Sequence, residues 1–222
     1  MARTFFIGSF ILLVTLVGCS GFQRDRAHTL TGGPQACCRS AETTPSRSAI
    51  VQSAAQLVGA KTIDIDGHRI EYDCAGVTRA VFLKHGIDLY ENRSVSQQAN
   101  GVRLIHNHIR QHGVLHKGPA VRPGDLVFFD NTWDSNHDGK ANDPLTHVGI
   151  VERQDRDGTV TFISRVAGAV QRYRMNLGFP HVYRTTDGKI LNDHLRRKQG
   201  ISTSAGHLTG ELFAGFGSRS GL

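Results

Sequence analysis

Three short stretches of this 222-residue chain bring together side chains that can do chemistry. The first is Glu71-Tyr72-Asp73-Cys74-Ala75-Gly76. From Cys74 to Lys84 the apolar residues Val77, Ala80, Val81 and Leu83 recur at helical spacing. Asp73 is a good N-cap and Gly86 a good stop. Cys74 is thereby expected in the first turn of a helix. Unpaired backbone N–H groups and the positive end of the helix dipole favour a thiolate there and lower the thiol pKa. The plain alternative is a small buried hydrophobe.

A cysteine nucleophile needs a base, and the base needs an orienting group. The chain has 12 histidines, so a histidine alone says little. His147 is set apart by heading an apolar strand, Thr146-His147-Val148-Gly149-Ile150-Val151. His147, Gly149 and Val151 share one face of that strand. The structural alternative is a strand-end histidine satisfied by a backbone carbonyl.

The third stretch is Asp134-Ser135-Asn136-His137-Asp138-Gly139-Lys140-Ala141-Asn142-Asp143. Oxygen side chains at alternate positions followed by glycine match the first half of an EF-hand-type calcium loop. Asp134, Asn136 and Asp138 are the side-chain ligands in that reading, and Lys140 offers its carbonyl. The twelfth position is Leu145 rather than glutamate, so Asp143 is the substitute ligand. A polar Asx-turn loop without metal fits the same composition.

The elements that must position these residues are legible in outline. A helix is expected near Arg47 to Val58, with Ile50, Ala54, Leu57 and Val58 on one face. Lys61 to Tyr72 alternates as a strand or hairpin around Asp66-Gly67, and the Cys74 helix follows. A third amphipathic helix is expected over Ser94 to about Leu115, interrupted near Gly101 and Gly113. Strands are expected at Asp125–Asp130 after the Pro123-Gly124 turn, at His147–Glu152, at Thr159–Ser164 and at Arg172–Leu177. Setting Glu152 opposite Thr159 pairs Val151 with Val160, Gly149 with Phe162 and His147 with Ser164. Ser164 then becomes the orienting group for His147. Helices first and antiparallel strands second is an α+β pattern.

The ends read differently. Arg3 followed by the apolar run Phe5 to Val17 is a targeting segment, shorter than the ~20 residues of a membrane span. It ends in Leu16-Val17-Gly18-Cys19, which resembles a bacterial lipobox, so residues 1–18 are expected to be a lipoprotein signal and Cys19 the lipidated N-terminus. Residues 19–46 read as a flexible tether, 47–187 as the catalytic domain, and 188–222 as a polar, Gly-rich C-terminal extension. Cys37 and Cys38 are adjacent, and the sequence leaves their pairing open. The net charge is +7, but no aromatic-interleaved basic motif is present, so nucleic acid is not an expected partner. Arg165, Arg172, Arg174 and Arg196-Arg197-Lys198 are the densest basic groups, and a solvated face is the ordinary reading of such groups.

The Tyr72–Gly76 stretch, then Arg122-Pro123-Gly124-Asp125-Leu126-Val127-Phe128-Phe129, then Thr146–Val151 resemble the successive signatures of NlpC-type cysteine peptidases. The resemblance covers about residues 47–185. It implies a papain-like fold, with N-terminal helices packed on a small antiparallel sheet, and cleavage of peptide bonds in peptidoglycan stem peptides. It also implies Cys74 as nucleophile, His147 as base and Ser164 at the third position, where the family usually has histidine. Tyr72 is implied in holding substrate or oxyanion and Asp73 in contacting a substrate amine; Arg165 and Arg172 are expected to meet stem-peptide carboxylates. Ala75 stands where the family usually has serine. No cofactor is required, with calcium the one candidate ion. The expected protein is a monomer held by its lipid on the periplasmic side of the outer membrane. A related CHAP-type amidase and a catalytically silent wall-binding lipoprotein are the alternatives.

Overall fold

The computed structural model describes residues 45–63, 70–93, 100–196 and 206–222. Cys19, Cys37, Cys38, the targeting segment and nearly all of the tether lie outside them, as does the centre of the hairpin expected around Asp66-Gly67. Each helix begins where a polar side chain takes up an otherwise unpaired N–H group. Ser46 caps α1 (Arg47–Gln56) through the Ala49 N–H, and Asn100 caps α3 (Gly101–His112) through the Arg103 N–H at 2.8 Å. Asp73 caps α2 (Cys74–Leu83) by accepting from the Gly76 N–H at 2.7 Å. Gly76 has a further reason to be glycine: a Cβ there would lie 1.8 Å from the Glu71 carbonyl oxygen. The chain entering the helix crosses its first turn at that point.

The third helix runs between the two glycines expected to interrupt its pattern, Gly101 and Gly113. It ends at His112, and Leu115 lies on a strand, β1 (Gly113–His116). The last strand packs against this corner so closely that a Cβ on Gly113 would lie 2.2 Å from the Ser218 carbonyl oxygen. The strands β2 (Leu126–Phe129), β3 (His147–Gln154), β4 (Val160–Val166), β5 (Ala169–Met175) and β6 (Phe213–Arg219) complete an antiparallel sheet in the order β1-β6-β2-β3-β4-β5. Three helices on a six-stranded antiparallel sheet, counted among the described residues, make the fold α+β.

Both faces of this sheet are covered, which is why Leu126-Val127-Phe128-Phe129 is apolar throughout and wholly buried. Leu126, Phe128, Val148 and Ile150 pack with Ile50, Val81, Phe82 and Ile105 from the helices. Val127, Phe129, Val151 and Phe162 pack on the other side with Met175, Leu195, Leu212 and Phe216. Of residues 188–222, read from composition as an extension, the described ones supply β6 to the sheet and Leu195, Leu212 and Phe216 to its second core. Their short apolar groups were too sparse to show a strand by periodicity, because the core they complete is made by other segments.

The β3–β4 hairpin forms, but its register differs from the expected one. Ile150 pairs with Ile163, Val151 with Phe162 and Arg153 with Thr161, with a bulge at Glu152. Arg153 and Gln154 continue the strand instead of entering the turn, which is closed by the Asp155 N–H on the Thr159 carbonyl at 2.8 Å. The expected packing survives on the diagonal. The Phe162 ring lies over Gly149, where a Cβ would approach it to 2.6 Å.

Candidate active site

Cys74 is the first residue of α2, and α2 packs on β3, whose first residue is His147. Both side chains line one cleft of about 810 Å³ together with Asp73, Asn100, Trp133 and Arg165. Two segments hold His147 in place. The Thr146 N–H donates to the Phe129 carbonyl at 2.9 Å, and the Thr146 hydroxyl accepts from the Thr132 N–H at 2.9 Å. The Leu145 N–H donates to the Asp130 carboxylate at 2.7 Å, pinning the loop before the histidine to the end of β2.

Ser164 reaches His147 from β4, with its Oγ 2.9 Å from Nε2. The same hydroxyl donates its proton to the Val148 carbonyl at 2.6 Å. A hydroxyl has one proton to give, so Ser164 accepts from the imidazole, and Nε2 carries the hydrogen. Nδ1 is left with its lone pair, the form a general base needs. Ser164 is thus the ring's orienting neighbour, reached diagonally and not as its directly paired residue.

The helix position is opposed by stronger influences on the thiol. The N–H groups of Val148, Ala75 and Cys74 itself do favour the anion, but burial and then the adjacent Asp73 carboxylate push the Cys74 pKa up to about 12. His147 moves the opposite way: burial and then the Arg165 guanidinium push it down to about 3. Both shifts favour the uncharged forms of the pair. The sequence reading gave the helix terminus its due weight and missed the Asp73 charge, because the same carboxylate that caps the helix also faces the sulfur.

Tyr72 is placed differently from its expected role. Its hydroxyl donates to the Ala60 carbonyl, its ring lies under Arg165 at 5.1 Å, and it is not among the cleft-lining residues. The donor is committed to the backbone, which leaves the N–H groups of Val148, Ala75 and Cys74 as the donors beside the sulfur. Asp73 and Arg165 do line the cleft. Arg172 does not; its guanidinium grips Glu152 through Nε and Nη2, with contacts of 2.8 to 3.0 Å. Ala75 is buried against the helical core at the cleft floor.

Trp133 and Arg196 are among the cleft residues not singled out from the sequence. Trp133, the chain's one tryptophan, is half exposed on the rim and meets His137 edge to face. Its uniqueness, one residue before the oxygen-rich loop, was the available signal. Arg196 belongs to the basic run read as solvated, yet it is only 5% exposed and lines the cleft. Nothing local distinguishes it from its neighbours in that run.

The oxygen-rich loop is built on its own backbone. Asp134 accepts from the N–H groups of Asp138 and Gly139, Asn136 from Asp138, and Asp138 from Lys140. Asp143 accepts from the Asn136 N–H and keeps its other oxygen buried without a partner. Leu145, the twelfth position, packs against the helical core and supplies no ligand. Among the described residues the one group of three His, Cys, Asp or Glu ligand atoms drawn within 4.8 Å of each other lies elsewhere, at Glu91, His108 and His112. There Glu91 Oε1 lies directly against His108 Nδ1 at 3.0 Å and His112 Nε2 at 2.9 Å, and Glu91 also pairs with Arg93.

A family model described as the NlpC/P60 family matches residues 58–199. A solved structure, the crystal structure of the NlpC/p60 domain of the peptidoglycan hydrolase SagA, is 21% identical, over 58% of this chain and 88% of that one, with a TM-score of 0.32. No curated protein matches the chain.

Proposed function

Because the chain belongs to the NlpC/P60 family, we propose that it is a cysteine peptidase that cuts peptide bonds in peptidoglycan stem peptides. The observation that carries this reading is the contact of Ser164 with His147 Nε2, which leaves Nδ1 as the base in the cleft that holds Cys74. In the first step His147 Nδ1 takes the thiol proton as the Cys74 sulfur bonds to the substrate carbonyl carbon. The oxyanion forms beside the N–H groups of Cys74 and Ala75. The imidazolium then gives its proton to the leaving amine as the carbon–nitrogen bond breaks. Water, activated by the same neutral imidazole, hydrolyses the thioester and restores the thiol. Arg165 disfavours the imidazolium, so the proton passes quickly onward.

Digestion of purified muropeptides, with products identified by mass, tests the reading. The wild type should release cleaved stem peptides and Cys74→Ala none, at unchanged melting temperature. Release of whole stem peptides from the sugar would instead mark an amidase. No product with either protein, under conditions where muropeptides bind, would mark a silent wall-binding protein.

Two further readings complete the proposal. Lipid attachment at Cys19 would hold the enzyme at the outer membrane's periplasmic side; Cys19→Ala should then lose incorporation of labelled fatty acid, and unchanged labelling overturns it. Among the described residues no helix is long and apolar enough to cross a membrane. Calcium binding by the loop is favoured by the unpartnered buried oxygen of Asp143. Asp134, Asn136, Asp138 and Asp143, with the Lys140 carbonyl, would close on the ion. Calcium should then raise the melting temperature of the wild type and not of Asp138→Ala; no shift in the wild type overturns it.

A further inference from the structure

Arg196 is a buried cation with nothing to hold. It is 5% exposed, both its Nη1 and Nη2 are buried without a hydrogen-bond partner, and it lines the cleft that contains Cys74 and His147. Burying a guanidinium unpaired is costly, and folded proteins ordinarily avoid it. A site that keeps such a group beside a nucleophile is matched to an anion that arrives with the substrate. A second arginine faces the same cleft. Arg165 lies over Tyr72, and its Nε is likewise buried without a partner. The other charged walls, Asp73 and Asp134, are carboxylates; the first is committed to the α2 cap and the second to the Asp138 and Gly139 N–H groups.

We propose that Arg196, with Arg165, forms a carboxylate-binding subsite that fixes the register of an acidic peptide across Cys74. The inference rests on the peptidase reading and names what that peptidase selects. The planar fork of a guanidinium with two free N–H₂ groups fits a carboxylate through two parallel hydrogen bonds. Desolvation by the cleft makes those bonds stronger than they are at a surface. Arg196 is a specificity residue in this scheme and takes no part in proton transfer. It stands after β5, next to Leu195 of the second core.

The test separates this inference from the peptidase reading by measuring binding as well as turnover. The probes are a stem tetrapeptide with free carboxylates and the same peptide with its carboxylates converted to amides by carbodiimide and ammonia. Binding is measured by calorimetry with Cys74→Ala, which holds the peptide without cutting it. The acidic peptide should bind about 10- to 100-fold more tightly than its amide twin. Adding Arg196→Gln should weaken the acidic peptide to the level of the amide and leave the amide unchanged. In the catalytically intact protein, Arg196→Gln should raise KM for the acidic peptide far more than it lowers kcat. The melting temperature of Arg196→Gln should equal or exceed the wild type's, because an unpaired buried charge has been removed.

Equal loss on both peptides, no loss on either, or a large fall in melting temperature would overturn the subsite, the last by showing that Arg196 braces the fold. Failure of the wild type to cut the acidic peptide while Cys74→Ala still prefers it would overturn the peptidase reading and leave the subsite standing.

Discussion

At the scale of single residues, the surroundings of Cys74 and His147 favour their uncharged forms, and that has measurable consequences. A thiol raised to about 12 contributes little thiolate near neutrality, so Cys74 should alkylate slowly with iodoacetamide. The rate should climb about tenfold per pH unit and keep climbing past pH 9. Arg165→Gln removes a positive charge facing His147, raises the affinity of that ring for the proton, and should speed alkylation at neutral pH. A plateau between pH 5 and 6 in the wild type would instead reveal a resting thiolate–imidazolium pair. His147 also links stability to acid. Between its ordinary 6.5 and about 3 the unfolded chain takes up a proton there that the folded chain refuses. Its contribution is therefore complete above 6.5 and is lost as pH falls through that window, with a slope of up to about 1.4 kcal/mol per pH unit. Melting temperature against pH, compared between the wild type and His147→Asn, reads this directly; parallel curves would sink it.

At the scale of elements, the first turn of α2 shows how tightly the nucleophile is placed. Asp73 caps the turn, and the Glu71 carbonyl crosses it where Gly76 has no Cβ. Gly76→Ala would put a methyl 1.8 Å from that oxygen, so the entering chain must move. Overpacking of this kind costs about 1–3 kcal/mol. We expect a lower melting temperature and a loss of activity larger than the stability loss predicts, because Cys74 lies two positions away. An unchanged melting temperature would mean that the crossing is slack. The same turn shows what a sequence can reveal. The helix, its cap and its stop were legible because they depend on residues within a few positions of one another. So was the β2 run. The hairpin register was not, because the bulge at Glu152 is paired with Arg172 of β5, a neighbour that strand alternation cannot see. The Ser164–His147 contact was still reached, since packing of Phe162 over Gly149 tolerates a diagonal fit. The placement of Tyr72 was hidden for a related reason: its hydroxyl is bound by Ala60, whose place beside it comes from the chain's path after α1.

At the scale of the whole molecule, the last strand closes what the first helices open. β6 lies between β1 and β2, so the C-terminal residues stand inside the sheet although they are made last. Three side chains of this segment, Leu208, Leu212 and Phe216, are 7%, 4% and 0% exposed. Burial of a large apolar side chain is worth about 1.5–3 kcal/mol, so together they supply roughly 5–9 kcal/mol. That is comparable to the ~5–15 kcal/mol by which a domain is stable at all. Ending the chain at residue 205 would remove all three. It would also free the edges of β1 and β2, whose unpaired N–H and C=O groups invite association between chains. The truncated protein should therefore lack a cooperative melting transition and should aggregate. Phe216→Ala in the full chain is the graded control. It leaves every strand in place and removes one ring, at a cost of about 3–5 kcal/mol, so it should still melt cooperatively at a lower temperature. A truncated chain that melts like the wild type and cuts muropeptides would show that β6 is dispensable and that the domain ends before it. If the truncated chain fails to fold while Phe216→Ala folds and remains active, the C-terminal strand is required to complete the sheet rather than to touch the substrate.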